Sequence, residues 1–136
     1  MPSSFPFEFT ITGAPVSQQC RRRSVLRDWK KRVLAQARKR DPARIPISTE
    51  VTVRITYYYL DRGIDIDNLA KPICDALKGF VYDDDEQIAD LLARKRNLNG
   101  TLTTTNVSPV LEAALEAGEE FIHIVVDVFP LEEEPR

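Results

Sequence analysis

The sequence is poor in the residues from which most metal, redox and nucleotide-binding motifs are built. Among 136 residues there are two cysteines, one histidine, five glycines, one methionine and one tryptophan. Cys20 and Cys74 form no Cys-x-x-Cys pair, which excludes a zinc ribbon and a disulfide framework and leaves the free thiols of a cytosolic protein. The one histidine, His123, sits among Phe121, Ile122, Ile124 and Val125 and reads as a packed strand residue. No P-loop, dinucleotide fingerprint or nucleophile elbow occurs, so no nucleotide cofactor is expected. No apolar run approaches the ~20 residues that cross a bilayer, and the N-terminal residues alternate Phe with Pro, Glu and Thr instead of forming an export signal. The expectation is a cytoplasmic protein with no membrane contact.

What is present is an ordinary globular composition, 43% hydrophobic and 29% charged, enough for one domain. We assign that domain to residues 1–130 and treat residues 131–136 as an acidic tail. The net charge of -2 conceals strong segregation. Residues 1–46 carry eleven Lys/Arg against three Asp/Glu, whereas residues 101–136 carry one against eight. A basic first third suggests an anionic partner such as nucleic acid, and the acidic last third argues against indiscriminate binding over the whole surface.

Periodicity places the elements. Phe5, Phe7, Phe9 and Ile11 alternate as in a half-buried strand that ends at Gly13. Ser24 reads as an N-cap for a basic amphipathic helix carrying Val25, Leu26, Trp29, Val33 and Ala37, stopped at Asp41-Pro42. Val51 to Tyr59 is a second strand of β-branched and aromatic residues. A short helix from about Asn68 to Leu77 closes at Gly79, with Pro72 tolerated near its first turn. Gln87 to Arg96 suits helix or strand by periodicity. Ser108-Pro109 starts a short helix that Gly118 ends, and Phe121 to Phe129 is a nearly continuous apolar strand suited to a sheet centre.

The chemistry concentrates between Asp61 and Asp90, where nine of thirty residues are acidic. Asp65 and Asp67 are two apart and share one face of an extended segment. The helix that follows covers ~15 Å, at ~1.5 Å per residue. Six extended residues from Gly79 to Asp85 return by ~20 Å, which brings the Asp83-Asp84-Asp85-Glu86 run back toward the level of Asp65 and Asp67. Clustered carboxylates repel one another unless protons or cations compensate them, and hard, oxygen-ligated Mg²⁺ or Mn²⁺ suits such a group. Those ions lower the pKa of a bound water and steady the charge of a phosphoryl transition state. Lys71, in the first turn of the helix, leans back toward the carboxylates or a phosphate; its simpler reading is an i,i+4 pair with Asp75.

Asp65-Ile66-Asp67-Asn68-Leu69-Ala70-Lys71, followed by Asp84-Asp85-Glu86-Gln87-Ile88, resembles the DxDNxxK and DDxQ-like elements of the RusA family of Holliday junction resolvases. The resemblance extends to Pro72, Asp75, Ala76 and Leu77 and to the opening strand with Gly13, Pro15 and the basic segment, and runs to about Arg96. It implies a homodimeric endonuclease dependent on Mg²⁺, with Mn²⁺ as a substitute, that nicks two opposed strands of a four-way DNA junction in recombination and repair. Asp65, Asp67 and Asp85 would then be the catalytic, metal-holding carboxylates and Lys71 the catalytic lysine. Aligning through Asp83-Asp84 instead moves the third carboxylate to Asp84. The implied fold is α+β, a mixed sheet of about four strands with two main helices in the order β-α-β-α-β-(α)-β, which makes Gln87 to Arg96 a strand.

Arg21, Arg22, Arg23, Arg27, Lys30 and Lys31, with Arg32 beside them, are candidate phosphate contacts, and Arg94 and Arg96 add one or two from the strand. Two other readings stand beside the resolvase: a branched-DNA-binding module that does not cut, and a nuclease for flaps or other branched DNA.

Overall fold

The computed structural model describes residues 3–61, 64–102 and 105–129. Arg62, Gly63 and the tail expected at residues 131–136 lie outside them. The elements are β1 (Phe7–Thr12), α1 (Arg23–Arg40), β2 (Val51–Tyr59), α2 (Ala70–Leu77), β3 (Ile88–Asn97), α3 (Pro109–Ala117) and β4 (Phe121–Val128). Single 3-10 turns, Ile66–Asn68 and Asp85–Gln87, precede α2 and β3. The fold is α+β, and the strands form one mixed sheet in the order β1-β4-β2-β3. β4 runs antiparallel to both β1 and β2, and β3 runs parallel to β2. The apolar run from Phe121 thus occupies the sheet interior, where both of its edges are paired.

The register divides the side chains between two faces. Phe7, Phe9 and Ile11 stand opposite Val126, Ile124 and Ile122, which in turn oppose Val53, Ile55 and Tyr57. Residues two apart share a side, so these form one apolar face. Leu26, Trp29, Val33 and Ala37 of α1 and Leu69, Ile73 and Leu77 at α2 join them in a single core. On the opposite face lie Glu8, His123, Thr56, Tyr58 and Phe121. There the Tyr58 and Phe121 rings stack at 4.6 Å, and one Glu8 oxygen is shared by Ser108 Oγ and His123 Nε2 at 2.5 Å each. The Ser108 hydroxyl does not approach the imidazole as a nucleophile approaches its base; both groups serve Glu8.

The ends of the elements follow local chemistry. Ser108 accepts the Leu111 N–H at 3.1 Å as the N-cap of α3, and Pro109 follows it. Gly118 ends that helix at φ 75°, a left-handed conformation that glycine adopts without a Cβ clash. Two expectations need correction. Ser24 is not an N-cap: the Val25 and Leu26 N–H groups bond to the Arg22 carbonyl, so α1 starts two residues earlier, with Arg22 at the N-cap position and no side-chain cap. The first strand starts at Phe7, where pairing with Val126 begins. Phe5 instead packs beneath the Arg44 guanidinium, 4.7 Å from its ring, and Arg44 also covers Phe7 at 4.2 Å.

Candidate active site

The acidic loop follows β2 and is tied to the segment before α1, since the Gln18 N–H donates to the Asn68 carbonyl at 3.1 Å. That bond joins the segment leading into α1 to the residue that follows Asp67; Asp65 and Asp67 are both exposed. Arg22 takes the N-cap position of α1, Arg21 precedes it, and no acidic residue falls in the first turn. The partial positive charge of the helix N-terminus therefore adds to three consecutive arginines, Arg21, Arg22 and Arg23.

Lys71, one residue into α2, donates to Asp75 Oδ1 at 2.8 Å and stands 3.6 Å from Asp85 Oδ2. The i,i+4 pair and the approach to the distant acidic run therefore exist together. Asp75 also accepts from Lys30 of α1 at 3.3 Å. This carboxylate is the junction between the two helices and the acidic loop. Burial pushes its carboxyl pKa up, but hydrogen bonds from Lys71 and Lys30 outweigh burial and hold it below the ordinary 3.8. The bond to Asp75 is in turn the largest influence raising the Lys71 ammonium above its usual 10.5; burial opposes it and Asp85 adds to it.

The second acidic run is built by its own side chains. Asp84 accepts the Asp85 N–H at 2.8 Å, and the Gln87 amide oxygen accepts the N–H groups of Asp83 and Asp84, each at 2.8 Å. The Gln87 amide nitrogen donates to the carbonyls of Ile47 and Thr49, at 2.7 and 2.8 Å, which staples the loop to the chain leading into β2. Asp84 is thus occupied as a cap, and it lies 3.4 Å from Lys78. Asp85 faces Lys71. Its Oδ1 is buried and makes no hydrogen bond, an oxygen with capacity left for a cation or a donor.

Among the described residues, no three His, Cys, Asp or Glu side chains gather closely enough to hold a metal ion. The three-carboxylate group expected of Asp65, Asp67 and Asp85 is therefore not assembled in the protein alone. Bare carboxylates in contact repel one another, and the ammonium groups of Lys30, Lys71 and Lys78 divide Asp75, Asp84 and Asp85 among themselves. The donors still suit a hard divalent cation: carboxylate oxygens throughout, one of them buried and unpartnered.

The basic residues fall into two sets. Arg21, Arg22, Arg23, Arg27 and Lys31 are exposed, and Lys30 is half-buried against Asp75. Arg32 donates to the Thr12 carbonyl and lies 5.7 Å from the Trp29 ring, a structural placement. Arg94 and Arg96 stand opposite Thr56 and Tyr58 on β2, away from the core face. They therefore point to the other side of the sheet from α1, and a single patch comprising all the candidate contacts does not exist.

Two positioning residues escape the pattern of the sequence. Asp75 reads there as an ordinary helix-surface partner of Lys71, and only the packing of α1 on α2 delivers Lys30 to it. The staple made by Gln87 depends on the carbonyls of Ile47 and Thr49, which no side-chain pattern reveals. Cys74 is a core residue whose thiol burial pushes up to about 11, the thiol state of an inert cysteine.

The profile of the family described as Endodeoxyribonuclease RusA matches residues 12–107. The match contains Asp65 to Lys71, Asp85, α1 and the whole of β3, and ends before α3 and the interior strand β4. No curated protein matches the chain. With more than half of its length covered, the chain belongs to the RusA endodeoxyribonuclease family.

Proposed function

We propose that the protein is a metal-dependent endonuclease that resolves four-way DNA junctions by paired nicks in opposed strands, in recombination and repair. The observation that carries this reading is the approach of Lys71 to Asp85, fourteen positions later in the sequence: a residue of the DxDNxxK element meets a residue of the DDxQ-like element at 3.6 Å. Asp65, Asp67 and Asp85 would hold Mg²⁺, or Mn²⁺ in its place. Such an ion supplies an activated water and compensates charge on the reacting phosphate. The chain's own groups supply the rest. Lys71 offers a positive charge beside Asp85, where a scissile phosphate would need one. Asp75 fixes Lys71 and Lys30, and Gln87 with Asp84 fixes the loop that carries Asp85. Asp85 is the better third carboxylate, because Asp84 is engaged as a cap.

The α1 N-terminus, with Arg21, Arg22, Arg23, Arg27 and Lys31, would contact backbone phosphates beside the site, reading charge and shape more than base sequence. A junction has approximate two-fold symmetry, and a two-fold dimer would present one site to each of two equivalent strands. β3 supports a dimer: it is an edge strand, and Leu91 and Leu92 on it are 50% and 49% exposed.

The test is cleavage of a synthetic four-way junction labelled in each strand in turn, with and without Mg²⁺. Nicks restricted to two opposed strands and dependent on Mg²⁺ support the reading. Binding with no cutting under any divalent ion would identify a junction-binding module, and faster cutting of flaps would identify a different branched substrate.

A further inference from the structure

The face of the sheet opposite α1 and α2 carries a concentration of positive charge that the catalytic reading leaves unused. Arg54 shares one side of β2 with Thr56 and Tyr58, and Arg94 and Arg96 stand opposite those two residues on β3, so the three arginines leave the same face of the sheet, Arg94 half-buried and the other two exposed. None of the three lies within ion-pair distance of a carboxylate among the described residues. Arg94 is held in place, since its Nε and Nη2 both donate to Thr56 Oγ1 at 3.1 and 3.0 Å. Beside it lies a cavity of about 420 Å³, lined by Arg94, Arg96, Tyr58, Thr101, Thr105 and Asn106 among others. Like charges brought together without a counter-ion disfavour the folded state. An anion among them offsets that cost, and guanidinium groups match phosphate oxygens in planar, paired hydrogen bonds. The surrounding hydroxyl and amide groups are further donors of the kind that line phosphate sites.

We propose that Arg54, Arg94 and Arg96 form a second phosphate-binding site, on the opposite side of the sheet from the acidic loop, that holds a backbone phosphate of a nucleic-acid strand. The occupant is a different part of the substrate from the one being cut, because DNA lying against α1 and α2 is separated from these arginines by the sheet itself. A branched molecule has such a part in another of its arms. The choice of DNA as the source of the phosphate rests on the nuclease reading above; the anion site rests on the arginines and the cavity.

The experiment follows the arginine Nε–H resonances of the ¹⁵N-labelled full chain in EDTA, during titration with a short single-stranded thymidylate oligonucleotide and, separately, with inorganic phosphate. The oligonucleotide should shift the signals of Arg54, Arg94 and Arg96 together. In an Arg54→Gln/Arg96→Gln variant the Arg94 shift should be lost, and the slope of log affinity for a four-way junction against log salt should become shallower by about 1. Signals unmoved by the oligonucleotide, or moved by inorganic phosphate alone, would overturn the proposal. Because the titration involves no cutting, a protein that shifts these signals yet never cleaves a junction would retain the phosphate site and lose the nuclease reading. One that cleaves junctions without the shifts would do the reverse.

Discussion

Replacing Asp75 by Asn removes the one carboxylate that joins α1, α2 and the acidic loop, and leaves its shape nearly intact. Asp75 bonds to Lys71 at 2.8 Å and Lys30 at 3.3 Å, with side-chain exposures of 23%, 54% and 34% respectively. Solvent screens pairs this exposed, and each contributes about 0.2–1 kcal/mol. The Lys71 pair also has the weaker i,i+4 orientation, with the cation N-terminal to the anion. Loss of both should destabilise the protein by about 1 kcal/mol, lowering Tm by about 3–5 °C for a chain of this size. The folded carboxyl pKa lies below the ordinary 3.8. Its contribution is therefore complete above that value and disappears as pH falls through the folded pKa, so wild type and D75N should converge in acid. The larger effect should be on chemistry. With Asp75 gone, Lys71 keeps Asp85 as its neighbour but loses the bond that orients it, and a misplacement of about 1 Å costs up to about 100-fold in rate. Single-turnover junction cleavage should fall by about 10-fold to 100-fold, junction affinity by less than about 2-fold, and Asp75→Glu should recover part of the rate. A D75N protein with wild-type Tm and wild-type cleavage would refute the role given to Asp75.

Two further outcomes follow from other parts of the molecule. Burial lowers the His123 pKa below 6.5 despite the opposing influence of Glu8, and bonds from Ser108 and His123 outweigh burial to hold Glu8 below 4.5. Both groups make the unfolded chain the stronger proton binder, so stability is complete above about pH 6.5 and declines as pH falls through the folded values. Denaturant titrations at pH 7.5 and 5.5 should show that loss in wild type and a smaller one in His123→Gln. At the sheet edge, Leu91→Lys/Leu92→Lys should yield a monomer by sedimentation at concentrations where wild type is a dimer; a wild-type monomer would remove the edge as an interface.

Much of the architecture was legible because burial on one face imposes a strict period. Val51 to Tyr59 alternates as its register requires, and Ser108, Pro109 and Gly118 mark both ends of α3 through local chemistry alone. β3 was not legible in this way: as an edge strand with Leu91 and Leu92 exposed it lacks the alternation that distinguishes strand from helix, and the family resemblance settled it. The start of α1 was misplaced because Ser24 is a favourable cap by composition, whereas the backbone bonds to Arg22 prevail. The motif residues of the candidate site were visible as a pattern. Their support by Asp75 and Gln87 depends on helix packing and on backbone carbonyls far away in the chain, and the separation of Arg94 and Arg96 from α1 depends on strand order.

Asp85, and not its neighbour Asp84, is proposed as the third carboxylate for a divalent cation near Lys71. Manganese binding followed by electron paramagnetic resonance, on wild type, Asp85→Asn and Asp84→Asn, tests it most directly when paired with junction cleavage of the same samples. Asp85→Asn should weaken Mn²⁺ binding at least about tenfold and abolish cutting, while Asp84→Asn should keep both, with stability within about 0.5 kcal/mol of wild type, because the Asn amide oxygen still accepts the Asp85 N–H as a cap. Wild-type metal affinity and wild-type cleavage in Asp85→Asn would contradict it.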